Sequence, residues 1–325
     1  MKSVVEDIKK GSFKPVYLFY GEEAYLKQQY KNRLKNAVLP EGDTINLSIY
    51  GGKGIDVEEM IAQADTMPFF AEHRLLLIED SGFFKNANQQ LADYIPSIPE
   101  GTIMLFVESE VDKRGKLYKA VNKKGSVVEF TAQNEQTLTR WILGILKTEG
   151  KMITSGAMKQ FLEKTGTDME RIRQELEKLI CYCMEKESIT EEDVAVICSE
   201  QTENKIFDMI NAMAEKKQKK AMELYYDLLA LKEPPMRILY LITRQFNLLM
   251  QVKELSEEGY SAKTISERLK MAGFIVRNCL RQAEYFSLKT LKEALQDCVR
   301  MEEAVKTGRM NDVMSVELLL VKYSS

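Results

Sequence analysis

The stretch that begins at Gly21 has the spacing of a phosphate-binding loop but lacks most of its chemistry. A P-loop follows the pattern GxxxxGK[ST], in which backbone N–H groups surround the phosphates and the last hydroxyl binds Mg²⁺. In that frame Lys27 stands at the lysine position, but Leu26 replaces the second glycine and Gln28 replaces the hydroxyl residue. Whether this is a degenerate P-loop or a chance spacing, it does not support nucleotide binding.

Carboxylates also stand where phosphates would have to lie. Glu22 and Glu23 come at the predicted start of the helix, and their negative charges would repel a nucleotide. The apolar run at 103–107 continues into Glu108 and Glu110, without the Asp-Glu pair of a Walker B strand. We therefore expect no ATP hydrolysis by the isolated chain.

The other residue types that carry chemistry are sparse. His73 is the single histidine, and the nearest pair of cysteines, Cys181 and Cys183, is separated by one residue instead of the two of a CxxC site. None of the patterns GxSxG, HExxH and GxGxxG occurs. The sequence therefore gives no catalytic residue, no metal site and no cofactor site.

Three large apolar side chains surround a proline in the connection between a predicted helix and a predicted buried strand: Met67, Pro68, Phe69 and Phe70. Pro68 disfavours helical backbone at Met67, so the helix ends before it, and connections run over the protein surface. Aromatic and methionine side chains at a surface would suit a pocket on a partner protein. Alternatively, the loop folds inward and caps the core. Residue type alone leaves both readings open.

The composition is that of a globular protein without a dominant charge. The 325 residues are 45% hydrophobic and 29% charged, with 17 glycines, 7 prolines and a net charge of -3. This excludes a disordered chain and a field that would draw the whole molecule to nucleic acid. The five cysteines are too few for a disulfide scaffold, and the charged N-terminus has no signal-peptide core. We expect a protein of the reducing cytoplasm, with no membrane association.

The first 140 residues alternate between strand and helix patterns. Apolar runs at 16–20, 75–78 and 103–107 have the length of strands buried on both faces, and a helix is predicted at 24–37. Another short apolar run, 127–130, is the last strand predicted. Such alternation predicts an α/β domain with a doubly wound parallel sheet.

Beyond residue 137 the sequence gives no further strand signal. Short helices are predicted up to about residue 208, and longer amphipathic helices follow in 209–325. Residues 209–325 contain 19 basic and 15 acidic side chains. We predict three domains: an α/β domain at 1–140, a small helical domain at 141–208 and a helical bundle at 209–325. The fold class is thus α/β plus α.

The bundle contains a pattern that allows a second function. Residues 261–269, followed by Gly273 and another helix, have the layout of a helix-turn-helix. A DNA-reading helix needs basic and amide side chains, and four are present: Arg277, Asn278, Arg281 and Gln282. The alternative is two packed bundle helices, because Ile275, Leu280 and Phe286 have the spacing of core residues.

Over its whole length the sequence resembles the delta-subunit family of bacterial DNA polymerase III. The resemblance lies in the order and spacing of short motifs, none of them specific alone: PVYLFYGEE at 15–23, MPFFA at 67–71, RLLLI at 74–78, TIMLFV at 102–107, DMERIRQELEKL at 168–179, IFD at 206–208, LITRQF at 241–246, KTGR at 306–309 and VELLL at 316–320.

The resemblance implies a fold and a set of partners. Members of the family have an AAA+-like first domain without a working P-loop, a helical lid and a helical collar that oligomerises. They belong to the clamp loader, whose partners are the sliding clamp (the beta subunit), the gamma or tau and delta prime subunits, and primed DNA. A hydrophobic plug enters a pocket on the clamp and helps to open the ring. By position the plug corresponds to Met67, Phe69 and Phe70, with Pro68 between them. Energy would come from ATPase subunits elsewhere, and the chain has no Ser-Arg-Cys motif for an arginine finger.

Overall fold

The structure is a computed structural model that describes residues 1–86, 88–198 and 202–324, with the backbone alone at Glu203. The chain divides into two compact units, Met1–Gln133 and Asn134–Ser325. In the described residues no helix is both long and apolar enough to cross a bilayer. The division of residues 141–325 into a lid and a collar remains a prediction.

The first unit is built around a five-stranded sheet in the order β2-β3-β4-β1-β5, and every pairing is parallel. The central strands are buried on both faces, as their uninterrupted apolar runs predict. The predicted parallel sheet is therefore confirmed. Its strands are β1 Val16–Tyr20, β2 Leu47–Gly51, β3 Arg74–Glu79, β4 Thr102–Glu108 and β5 Ser126–Glu129.

Helices cover both faces of this sheet, so the unit has two hydrophobic cores. One core contains Val4 and Leu34 from α1 and α2, and the other contains Met60, Leu91 and Val121 from α3, α4 and α5. Helix α1 was not anticipated from the sequence. The helices are α1 Lys2–Lys10, α2 Ala24–Val38, α3 Val57–Ala64, α4 Gln89–Tyr94 with a 3-10 turn at Ile95–Ser97, and α5 Lys116–Lys124.

The second unit begins with a small α/β portion where helices alone were predicted. Two-residue strands pair in parallel, Met152 with Ser188 and Ile153 with Ile189, which corrects the expectation that strands end after residue 137. Such short strands carry no periodic pattern to detect. The elements are α6 Glu135–Thr148, β6 Met152–Ile153, α7 Ser155–Thr165, α8 Met169–Tyr182, β7 Ser188–Ile189 and α9 Glu191–Ile197.

The rest of the second unit is the predicted helical bundle. Its core joins residues from all seven helices, with the aromatic side chains of Tyr225 and Phe246 fully buried. Pro235 begins the longest helix, where its missing N–H costs nothing. The helices are α10 Thr202–Ala214, α11 Gln218–Ala230, α12 Pro235–Glu257, α13 Ala262–Leu269, α14 Gly273–Ala283, α15 Leu288–Lys306 and α16 Asp312–Ser324.

Candidate functional site

The apolar loop, residues 66–73, connects α3 to β3. It lies at the end of the sheet where the strands have their N-termini. Its first end is fixed by the buried hydroxyl of Thr102, which donates to the carbonyl of Ala64 at 2.8 Å. The Asp65 carboxylate at the same helix end accepts from the Tyr94 hydroxyl at 2.7 Å. The loop therefore starts from a helix end that is tied to the neighbouring strand and helix.

Pro68 lies beside Gly101, whose backbone conformation favours glycine. A Cβ atom at Gly101 would lie 3.4 Å from Pro68 Cγ and 3.2 Å from the Glu72 carbonyl oxygen, and Gly101 has φ +86°. Glycine adopts that backbone conformation without the strain that a side chain would introduce. The loop is thus seated on the turn before β4.

A buried asparagine holds the centre of the loop. The Asn46 side chain accepts from the Phe69 N–H at 2.7 Å through Oδ1 and donates to the Phe69 carbonyl at 3.0 Å through Nδ2. Asp43 also accepts from Asn46 Nδ2, at 2.8 Å, and this hydrogen bond lowers the pKa of the Asp43 carboxyl. Because both backbone groups of Phe69 are bound by one side chain, the loop has a fixed path.

With this path the apolar side chains point away from the core. Met67 is 85% exposed, Phe69 55% and Phe70 96%, and the two phenyl rings meet edge to face at 4.6 Å between centroids. Phe70 has φ 50°, a left-handed conformation that is uncommon for a non-glycine residue. The loop therefore does not cap the core of its unit. Of the two readings that the sequence left open, inward packing is wrong.

This geometry suits protein recognition. Large apolar side chains in water have no stabilising role in the unit itself, and their burial against a partner would release that water. A backbone already held in one conformation loses little entropy on binding. Ile45, next to Asn46 in the chain, is 62% exposed and adds apolar surface beside the loop.

The backbone carbonyl of Phe130 lies against the turn where a P-loop would bind a phosphate. Gly21 has φ +119°, and a Cβ there would lie 2.3 Å from the Phe130 carbonyl oxygen. The same oxygen accepts from the Glu23 N–H at 3.1 Å. An amide at the start of α2 that would face a phosphate is therefore already bound to the strand-end carbonyl after β5.

Lys27, at the lysine position of the P-loop pattern, points into the protein. Its Nζ donates to the Glu108 carbonyl oxygen at 3.1 Å, and the side chain is 9% exposed. Burial lowers its pKa, while the carboxylates of Asp80, Glu108 and Glu23 act in the opposite direction. This lysine joins α2 to β4 and is not displayed to a ligand.

The four residues proposed to read DNA do not all lie at the surface, and those that do have partners within the chain. Gln282 is 1% exposed: its Nε2 donates to the Phe207 carbonyl at 2.9 Å and its Oε1 accepts from Gln245 Nε2 at 2.7 Å. Arg277 pairs with Glu135 at 3.3 Å, and Arg281 donates to Asn278. With Gln282 buried and Arg277 paired, this arrangement does not support the helix-turn-helix reading.

His73 has a packing role in this structure. Its ring meets the Phe13 ring edge to face at 5.5 Å. Among the residues that the structure describes, no group of three or more His, Cys, Asp and Glu side chains could hold a metal ion.

The loop residues were singled out by the sequence, but the residue that holds them was not. Asn46 lies 23 residues before Phe69, in a stretch of short polar and apolar residues with no distinctive motif. Only the pairing of β2 with β3 brings the two together.

Two family models cover most of the chain. Residues 17–131 match the model described as DNA polymerase III, delta subunit. Residues 203–323 match the model described as DNA polymerase III delta subunit, C-terminal domain.

Relatives extend the similarity to the full length. The chain is 30% identical to "DNA polymerase III subunit delta" of Bacillus subtilis (strain 168) over 98% of this chain and 95% of that one. It is 22% identical to "Probable DNA polymerase III subunit delta" of Aquifex aeolicus (strain VF5) over 75% and 72% of the two chains. The solved structure of the Bacillus subtilis DNA clamp loader delta protein superposes with a TM-score of 0.70 and 30% identity over 99% of both chains.

Proposed function

The chain belongs to the DNA polymerase III delta-subunit family, and we propose that it binds the sliding clamp and helps to open the ring for loading onto primed DNA. The observation that supports this most directly is the exposure of Met67, Phe69 and Phe70 on a loop with a fixed backbone. We call residues 67–70 the plug. Pro68 contributes by seating the plug on Gly101.

The plug would act by filling an apolar pocket on the clamp. Each fully buried side chain of this size contributes about 1.5–3 kcal/mol by transfer from water. That energy favours an open ring only to the extent that the plug binds the open form better than the closed form. The delta subunit would thus stabilise an opened interface without hydrolysing ATP.

The remaining partners would be the other loader subunits. The collar, residues 209–325, would assemble with gamma or tau and with delta prime, and those ATPase subunits would supply the energy of loading. Exposed apolar residues on α16 support an assembly role, since Met314, Leu318 and Val321 follow one another at helical spacing on its outer side. The site of action would be the bacterial cytoplasm.

The blocked P-loop position supports a role in which other subunits hydrolyse ATP and this chain does not. The Phe130 carbonyl oxygen lies against Gly21 and accepts from the Glu23 N–H. Lys27 Nζ donates to the Glu108 carbonyl oxygen. A subunit of this kind would need no cofactor and no metal ion of its own.

The test is direct binding of the full chain to the cognate sliding clamp, measured by native mass spectrometry and by surface plasmon resonance. We expect a complex with the clamp that Phe70→Ala weakens strongly. A folded chain that shows no clamp complex at micromolar concentration would refute the proposal.

A further inference from the structure

The most concentrated charge of the first unit lies on and before α5. Residues 1–133 carry 17 Lys and Arg against 19 Asp and Glu, and 6 of those 17 basic residues fall within residues 113–124, which contain no acidic residue. The six are Lys113, Arg114, Lys116, Lys119, Lys123 and Lys124. A slightly acidic unit therefore carries one strongly basic segment.

Helix α5 presents this charge to solvent. Leu117 and Val121 are buried against the sheet, whereas Lys116, Lys119 and Lys123 are exposed on the other side. The C-terminal end of the helix is fixed by close packing on β1. Gly125 lies so near the Val16 carbonyl oxygen that an added Cβ would be 1.9 Å from it. The lysines are thus displayed from a helix with a fixed position on the sheet.

The chain itself neutralises only part of this surface. At its N-terminal end Lys113 pairs with Glu129 at 2.9 Å, and Arg114 pairs with Asp112 at 3.0 Å. Within the part of the chain that the structure describes, Lys123 and Lys124 make no hydrogen bond or ion pair, and Lys119 has only a longer-range attraction to Asp112. The C-terminal half of α5 is left as uncompensated positive charge.

The first turn and the spacing of two of these lysines work against the stability of the helix. Lys116 lies in the first turn, where the helix dipole disfavours a cation, and that turn contains no acidic residue. Lys119 and Lys123 are four residues apart, a spacing at which like charges repel. The helix dipole favours Lys123 and Lys124 in the last turn. It gives no reason for Lys116 in the first turn or for the repulsion between Lys119 and Lys123, which an anionic partner would offset.

The surface fits a polyanion better than a protein. Protein interfaces centre on buried apolar anchors, and none of the large exposed hydrophobic residues lies within residues 113–124. Successive turns of a helix are about 5.4 Å apart, and each DNA strand carries a charge about every 3.4 Å of axis, so neighbouring lysines can reach successive phosphates.

We propose that Lys116, Lys119, Lys123 and Lys124 on α5 form a contact surface for the phosphate backbone of duplex DNA. The contact is independent of sequence, because lysines on phosphates read no bases. Through this contact the delta subunit would bind directly to the primed DNA that its complex loads. This part of the proposal rests on the proposed function.

The test compares two full-length variants that lose the same charge. Lys119→Gln/Lys123→Gln/Lys124→Gln removes the unpaired lysines, and Lys9→Gln/Lys10→Gln/Lys53→Gln removes three exposed lysines elsewhere in the unit. Affinity for a fluorescent primer–template duplex is measured by anisotropy at several KCl concentrations. If all three lysines contact phosphates, the slope of log K against log[salt] falls by roughly 2.7 for the first variant, with a loss of roughly tenfold or more at moderate salt. The control variant keeps the wild-type slope.

Equal DNA affinity of the two variants would overturn the proposal, and so would the absence of salt-dependent DNA binding by the wild type. Clamp affinity and melting temperature are measured on the same preparations. The α5 variant should bind the clamp as the wild type does, with a melting temperature close to that of the wild type. If it loses clamp affinity instead of DNA affinity, the surface meets an acidic protein and the DNA assignment is wrong. Failure of plug variants to affect clamp binding would refute the proposed function without changing the DNA result.

Discussion

Asn46 binds both hydrogen-bonding groups of the Phe69 backbone, at 2.7 Å to the N–H and 3.0 Å to the carbonyl. Asn46 is 2% exposed, and its own orientation is fixed by Asp43, which accepts from the same amide. A side chain in the interior of the unit thus determines the path of the loop at the surface. This relationship gives Asn46 a positioning role for the plug without any contact to the partner.

Asn46→Ala should weaken clamp binding by roughly tenfold, because each lost hydrogen bond is worth about 0.5–1.5 kcal/mol and the loop then samples other paths. In a Phe70→Ala background the same change should cost much less affinity, since there is less plug to position. Titration calorimetry of the four proteins in the double-mutant cycle gives the coupling. A lowered melting temperature with fully retained affinity would mean that Asn46 only stabilises the fold.

Met67→Ala/Phe70→Ala should remove most of the clamp affinity. Truncations at interface hot spots cost about 2 kcal/mol or more each, so the two together would cost roughly 4 kcal/mol, about a thousandfold, if the sites add. The melting temperature should not fall, because both side chains are more than four-fifths exposed. Leu231→Ala, which removes a 63% exposed apolar side chain from the second unit, is the matched control and should leave clamp affinity intact.

The isolated chain should not bind ATP, with or without Mg²⁺. The Phe130 carbonyl occupies the turn at Gly21, and Lys27 is buried against Glu108, so the phosphates would meet neither free amides nor a free lysine. Leu26→Gly/Gln28→Thr restores the sequence pattern GxxxxGK[ST], but it should not create ATP binding. Calorimetric titration that gives a micromolar dissociation constant for the wild type would contradict this expectation.

Asp193→Asn should destabilise the second unit at neutral pH. The Asp193 carboxylate accepts from Lys186 Nζ at 2.5 Å and from the Thr190 N–H at 2.9 Å, and these hydrogen bonds lower its pKa from 3.8 to about 2. Since the folded pKa is the lower one, the stabilisation is present above about pH 4 and is lost as the pH falls from 3.8 towards 2. Loss of the capping interaction typically costs about 1 kcal/mol.

Thermal melts between pH 7 and pH 3 provide the measurement for Asp193. The difference between wild type and Asp193→Asn should be largest at neutral pH and should shrink as the pH falls. Glu192→Gln, an exposed neighbour in the same turn, is the control and should show little difference at any pH. A difference that grows on acidification would show that the sign is wrong.

Met314→Lys/Leu318→Lys should impair assembly with the other loader subunits while leaving clamp binding intact. Both side chains are exposed on α16, at 52% and 44%, and burying two lysines in an apolar interface is costly. Size-exclusion chromatography of the reconstituted loader measures this. Val299→Lys on α15, which changes a 59% exposed side chain, tests whether the effect is specific to α16. Normal assembly of the double variant would place the assembly surface elsewhere.

The sequence by itself determined the elements that depend on local burial. The runs at 75–78 and 103–107 had to be buried strands because four or five consecutive apolar side chains leave neither face of a strand for water. The bundle helices follow equally from their periodicity and caps, as Ser261 and Ser287 show at the starts of α13 and α15. Pro68 likewise marked the end of the preceding helix region.

Tertiary structure decided the direction of the plug and the pairing of distant elements. The residues of an apolar loop have the same composition whether they turn inward or outward. Here Asn46, 23 residues away, and Gly101 hold the backbone so that Phe70 faces solvent. Strands β6 and β7, which pair Met152 with Ser188, were equally invisible in the sequence. Both features rest on hydrogen bonds between segments far apart in the chain, and such bonds leave no periodic signal in either segment alone.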